Sequence, residues 1–143
     1  MEKNETATLG SFGWPADFCW PIQHSDSMIY LGLCHDFGML NQSGIEIKFA
    51  DKDYTAAKAV LKKQGADCCY EDVLFQIVRM GKKWTIYDFE NEETLCELTL
   101  DQMRENIKKM PIVVYLEFIN ENDDADTANT ALQYAFFGEV VYG

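Results

Sequence analysis

Basic residues are scarce in this chain. Twelve Lys and Arg face 24 Asp and Glu, which leaves a net charge of −12 and a sequence pI near 4.4. Phosphates repel such a surface, and nucleic-acid affinity comes from Lys and Arg, so direct nucleic-acid binding is disfavoured. No apolar run approaches the ~20 residues that span a bilayer, so no membrane partner is expected. Histidine is limited to His24 and His35. They lie eleven residues apart near Cys19 and Cys34, at spacings that match no zinc pattern. No C-x-x-C, G-x-S-x-G, P-loop, G-x-G-x-x-G or H-E-x-x-H occurs. No cofactor, metal or catalytic residue is therefore assigned, and an enzyme is not expected.

Five cysteines are present: Cys19, Cys34, Cys68, Cys69 and Cys96. Their number is odd, and adjacent Cys68 and Cys69 do not easily bridge each other. They read as buried small hydrophobes in a reducing compartment. Met1 to Gly10 is polar, contains Glu2 and Glu5, and reads as a flexible tail, not a signal peptide. A cytoplasmic location is the expectation.

What is abundant is apolar surface. Apolar residues make up 48% and aromatics 13%, a composition that excludes a disordered chain. Residues 11–143 suit a single domain, long enough to bury roughly two thirds of its unfolded surface without staples. Phe12, Trp14, Phe18 and Trp20 crowd one segment that Pro15 and Pro21 keep irregular. These rings suit either a cover for a core edge or an exposed docking surface.

Local signals are clearest from Asp53 to Lys109. Asp53 reads as the N-cap of a helix running to Gln64, with Ala57, Val60 and Leu61 inward and Gly65 as the stop. Tyr70 to Met80 reads as a second helix. Tyr70, Val73, Leu74, Ile77 and Val78 share one side; Glu71, Asp72, Gln76 and Arg79 share the other, leaving Phe75 out of place. Acids open this segment, Arg79 closes it and Gly81 follows, the order a helix dipole favours. Trp84 to Phe89 and Thr94 to Leu98 read as a hairpin around Asn91, Glu92 and Glu93. Thr99 and Gln102 have capping-box spacing, opening a helix that ends at Lys108 and Lys109 before Pro111.

Helix, helix, hairpin is the order of a winged helix, a frequent DNA binder. The second helix would read the DNA, yet it carries Glu71 and Asp72 against a single base, Arg79.

The flanks are less definite. Met28 to Leu33 fits a buried strand or a short helix. Gly44 to Phe49 alternates as a half-buried strand. Ile112 to Ile119 is almost wholly apolar; Pro111 before it tips the reading to helix. Asp124 or Asp126 caps a last helix through Phe137, with Leu132, Ala135 and Phe136 inward. Glu139 to Tyr142 reads as a short added strand. The expected fold class is α+β: one compact, mostly helical domain around a helix-helix-hairpin-helix unit, with at least one extra strand.

Two carboxylate groupings invite chemistry. Asp88 and Glu90 alternate about Phe89, which suits acid–base work, cation binding or a solvated edge that blocks strand pairing. The last is the expectation. Asp123, Asp124 and Asp126 lack the spacing and glycine of a calcium loop, so an acidic helix entrance accounts for them better.

Three stretches together carry a resemblance. They are Glu71 to Ile77 leading to Gly81, the hairpin end Leu98-Thr99-Leu100, and Asn120 to Asp124 followed by Leu132-Gln133-Tyr134 and Phe137 to Gly143. The chain from Asp53 onward, about half, resembles small acidic uncharacterised proteins of bacterial integrative elements and phage-like islands. The resemblance implies a mobile-element accessory setting and supplies no catalytic residue.

Three functions remain open. The first is a non-enzymatic acidic module that binds a basic protein. Its sharper forms are a DNA-mimicking inhibitor of a nucleic-acid enzyme (anti-restriction or anti-CRISPR) and a toxin-immunity protein. Glu90, Glu92, Glu93, Glu121, Asp123, Asp124 and Asp126 would meet the basic surface, with Trp14 and Trp20 as anchors. The second is a small enzyme or ligand-binding domain using His24, His35 or a cysteine in an aromatic-lined pocket. The third is a structural or oligomeric component.

Overall fold

Among the described residues Trp84 is the largest fully buried side chain, and the sheet is built around its strand. The computed structural model describes residues 21–120 and 125–142. In these residues the order is α1 (Ile22–Gln42), β1 (Ile45–Lys48), α2 (Asp51–Lys63), α3 (Tyr70–Arg79), β2 (Trp84–Asp88), β3 (Glu93–Leu98), α4 (Leu100–Ile107), α5 (Ile112–Ile119) and α6 (Ala125–Phe137). The fold is α+β, mostly helical, and contains the expected helix-helix-hairpin-helix unit plus one extra strand. The sheet is antiparallel in the order β1-β2-β3. Ile47 lies opposite Ile86, and Trp84 opposite Leu98.

Trp84, Ile86 and Asp88 face inward by strict alternation along β2. The Trp84 indole N–H donates to the Leu74 carbonyl on α3 at 3.0 Å. Its ring meets Phe136 of α6 edge-on, centroids 6.2 Å apart. A buried indole needs such an acceptor, and edge-to-face packing suits the ring quadrupoles. The central strand is thereby tied to helices that come before and after it in sequence.

Most local signals have the expected outcome. Thr99 Oγ1 accepts from the Gln102 amide, and the Gln102 side chain accepts from the Thr99 amide, completing the capping box. Gly65 and Gly81 follow α2 and α3 with φ of 69° and 84°. In both, the next residue's amide reaches back to a helix carbonyl, Ala66 to Leu61 and Lys82 to Ile77. That closure needs a left-handed residue, which glycine adopts without a Cβ clash. Ile112 to Ile119 is helical, and Leu132, Ala135 and Phe136 are buried.

Several expectations are corrected. Met28 to Leu33 belongs to a 21-residue helix that starts just after Pro21, so that proline opens regular structure. Met28, Ile29, Leu33 and Leu40 are buried at helical spacing, and α1 packs chiefly on α6. Gly32 permits the approach: a Cβ there would stand 3.2 Å from Leu132. Tertiary packing thus overrides the low helix propensity of glycine. Asp53 does not cap α2. Its amide already donates to the Ala50 carbonyl, so the helix begins three residues earlier, with Ala50 at the N-cap and Asp51 and Asp53 in its first turn. Asp126 likewise lies in the first turn of α6. Phe75 and Gln76 are both buried, because α1 and α2 cover more of α3 than one apolar stripe provides for. A buried Gln76 is not free to read a base edge.

Glu139 to Tyr142 forms no strand. The buried Gln133 side chain holds this tail instead. Its Oε1 accepts from the Val141 and Tyr142 amides at 2.7 and 2.8 Å, and its Nε2 donates to the Tyr142 carbonyl at 2.8 Å. One amide group thus substitutes for a neighbouring strand. The reading of Met1 to Gly10 as a flexible tail lies outside the described residues.

Replacing Gln133 by Leu should cost about 1–3 kcal/mol for the polar groups left unpaired. Denaturant unfolding reads the loss, and hydrogen exchange should rise first at Val141 and Tyr142. Protection of those amides equal to the wild type would contradict the clamp.

Candidate functional site

Asp88 ends β2 on the core face, and its side chain builds the turn that follows. Its Oδ1 accepts from the Glu90 and Asn91 amides at 3.0 Å each, and its Oδ2 accepts from the Asn91 side chain at 2.8 Å. The Phe89 amide donates to the Gly44 carbonyl at 2.8 Å, fastening the turn to the start of β1. The Asn91 backbone and side-chain amides hold the Asp88 carboxyl below its usual range. Asp88 is therefore not a solvated edge: β2 is the central strand, and this carboxylate organises its exit.

The turn presents Glu90, Glu92 and Glu93, all exposed. Among the described residues none of the three forms an ion pair. Glu92 takes φ of 55°, the left-handed region that bends the chain into β3. Three like charges within four positions thus sit on a backbone fixed from beneath, with the Glu90 side chain lying over Gly44.

Asp126 is also exposed, but it stands at the other end of α6 from the turn. Tyr142, just past that helix, packs on Phe137, and its phenol is raised by burial and by the charges of Asp88, Glu93 and Glu90. The thirteen residues of α6 therefore span roughly 20 Å between Asp126 and the acidic turn. Trp14, Trp20, Glu121, Asp123 and Asp124 lie outside the described residues. The structure thus brings together Glu90, Glu92 and Glu93 and leaves Asp126 apart.

A second locus was not foreseen. α1, the end of α2 and α3 border an open hollow of about 590 Å³, lined by Asp26, Tyr30, Leu61, Asp72, Phe75 and Arg79 among others. Its walls are fastened at two points. The Tyr30 hydroxyl donates to Asp72 Oδ1 at 2.5 Å, joining α1 to α3. Arg104 of α4 grips Asp26 of α1 through two 2.8 Å bonds and also reaches Asp101. The hydrogen bond to Asp72 raises the Tyr30 phenol far above its ordinary range. The Asp26 carboxylate raises the Arg104 guanidinium further. Only the acid at 72 and the base at 79 carried a sequence signal, and that signal read as a helix dipole.

The cysteines depart from expectation. Cys34 and Cys69 are exposed, and Cys68 and Cys96 half-buried; all four are free. Cys69 donates to Asp72 Oδ2 at 2.9 Å, and this bond raises its thiol. Burial raises the Cys34 thiol. Protonated thiols are poor nucleophiles. Cys19 lies outside the described residues. His24 Nδ1 sits 2.6 Å from the Tyr115 hydroxyl of α5 and does not line the hollow. The side chain of His35 lies outside the described residues. Among the described residues no three His, Cys, Asp or Glu side chains are grouped to hold a metal ion. No helix among them is long and apolar enough to cross a membrane.

Compared with protein-family models, curated proteins and solved structures, the chain matches none.

Because folding depresses the Asp88 pKa, its contribution is present above the unfolded value of about 3.9 and is lost as pH falls through the folded value. Asp88→Asn should lower the melting temperature near neutral pH, since its amide nitrogen would oppose that of Asn91. The gap to wild type should narrow below about pH 4. A gap constant across that range, read by thermal denaturation, would remove the charge argument.

Proposed function

We propose that the protein is a non-enzymatic acidic interaction module that engages a basic protein surface through the β2–β3 turn. The observation that carries this reading is the set of three exposed, unpaired carboxylates on a turn braced by Asp88. Free charges on a fixed frame lose little conformational freedom on binding and steer a partner of opposite sign from a distance. Cations near the sheet do not neutralise them. Lys83 pairs with Glu97, and Lys48 leans on Glu46 and the Tyr87 ring.

Within this reading the sharper function is inhibition of a nucleic-acid enzyme by presenting carboxylates where phosphates bind, as an anti-restriction or anti-CRISPR protein would. Toxin immunity rests on the same charge complementarity. A mobile-element accessory role and a cytoplasmic setting belong to the same proposal. Asp126 would contribute only to a partner broad enough to reach both ends of α6. The net charge of −12 argues against nucleic acid itself as that partner.

Immobilised protein should retain a basic partner from its native host at low salt and release it between about 0.05 and 0.5 M salt, as screening shortens. Reversing Glu90, Glu92 and Glu93 to lysine should abolish retention while circular dichroism and melting stay near wild type. A complex that withstands both high salt and the triple reversal would exclude the acidic turn as its determinant.

A further inference from the structure

The hollow between α1 and α3 has opposite charges at its two ends. Asp72, Phe75 and Arg79 line it at positions i, i+3 and i+7 of α3. The acid and the base are two turns apart, roughly 10 Å along the axis. Asp67, just before α3, lines the same hollow at the Asp72 end and forms no ion pair among the described residues. At the other end Arg79 is exposed and likewise unpaired. Its neighbour Arg104 is already neutralised by Asp26 and Asp101, so the free positive charge there belongs to Arg79. Between the ends lie Leu61 and the rings of Tyr30 and Phe75, centroids 5.9 Å apart.

A helix dipole alone places acids early and bases late in α3. It does not turn both charges toward one hollow or set a ring between them. Asp72 already accepts from Tyr30 and Cys69, so the charges left without a partner among the described residues are those of Asp67 and Arg79. The volume lies within the ~300–1,000 Å³ of small-molecule sites. A purely cationic ligand would be repelled at Arg79, and a purely anionic one at Asp67 and Asp72. An apolar ligand would leave Asp67 and Arg79 desolvated without partners. The complementary ligand carries a cation and an anion about 10 Å apart with an apolar body between them. Three extended peptide residues have that length, at roughly 3.3–3.6 Å each.

We propose that this hollow binds short zwitterionic peptides of about three residues, with the ammonium at Asp67 and Asp72, the carboxylate on Arg79 and an apolar side chain against Tyr30 and Phe75. The Arg79 guanidinium offers the fork that pairs with a carboxylate through two parallel bonds. The site is separate from the acidic turn and does not depend on it.

Calorimetric titration of the full chain with alanyl-leucyl-alanine tests this, alongside its N-acetylated, C-amidated and doubly blocked forms. The free tripeptide should bind, and each single block should weaken it about 10-fold or more. In Arg79→Gln, a surface change, the acid and the amide should bind equally while acetylation still weakens. In Asp67→Asn the penalty for acetylation should shrink while that for amidation stays. Absence of binding by the free tripeptide up to about 10 mM would overturn the proposal. So would equal affinity for free and doubly blocked peptide, or an Arg79→Gln protein that still distinguishes acid from amide.

Discussion

The seating of Trp84 is the constraint on which both candidate surfaces depend. Its indole is fixed to the Leu74 carbonyl and its ring to Phe136, so β2 has one position between α3 and α6. The acidic turn grows from the far end of that strand, and the hollow is cut into another side of the α3 that receives the indole. Large aromatics in cores are costly to disturb, of order 3–5 kcal/mol when truncated. A shift at Trp84 would move the turn relative to β1 and Asp72 relative to Tyr30. Rigid scaffolding of exposed charge is what separates a usable recognition surface from ordinary surface acidity.

Charge is sorted along the strands. The Gly44 end of the sheet carries Glu90, Glu92 and Glu93, whereas Lys48 and Lys83 lie around one small hollow at the other end. About 17 Å of strand separates the two ends. Lys83, Arg104 and Lys108 each have a carboxylate partner, while the turn acids have none. Uncompensated negative charge on the sheet is thus gathered at the turn. Under the proposed reading that asymmetry would orient a basic partner as well as attract it.

Legibility followed the range of the interactions. The capping box of Thr99 and Gln102, the stops at Gly65 and Gly81 and the hairpin are written within a few residues, so composition and spacing found them. α1 was ambiguous because its stripe of Met28, Ile29, Leu33 and Leu40 is interrupted by glycines, one of which serves a distant helix. Phe75 and Gln76 were misplaced because a second and third helix cover α3, a fact that lies outside its own sequence. Asp88 looked like a surface acid; its role depends on amides of Glu90 and Asn91 that converge only once the turn closes. The tail was read as a strand because Val140 and Val141 favour one, and the acceptor that holds it, Gln133, lies on a helix. The hollow was invisible: Tyr30 and Asp72 are 42 residues apart, and neither type is rare on a surface.

The acidic turn also explains why so much hydrogen bonding is concentrated at Asp88. Adjacent carboxylates repel one another, and a two-stranded tip under such strain would splay. Asp88 opposes this by placing a fourth carboxylate inside, where three donors neutralise its effect and draw Glu90 and Asn91 inward. The repulsion among Glu90, Glu92 and Glu93 is then held by the turn. Under the proposed reading, a turn fixed in this way would give up little conformational freedom when a basic surface engages it. A flexible loop of the same sequence would present the same acids at greater entropic cost, so the hydrogen bonds to Asp88 bear on recognition as much as the charges do.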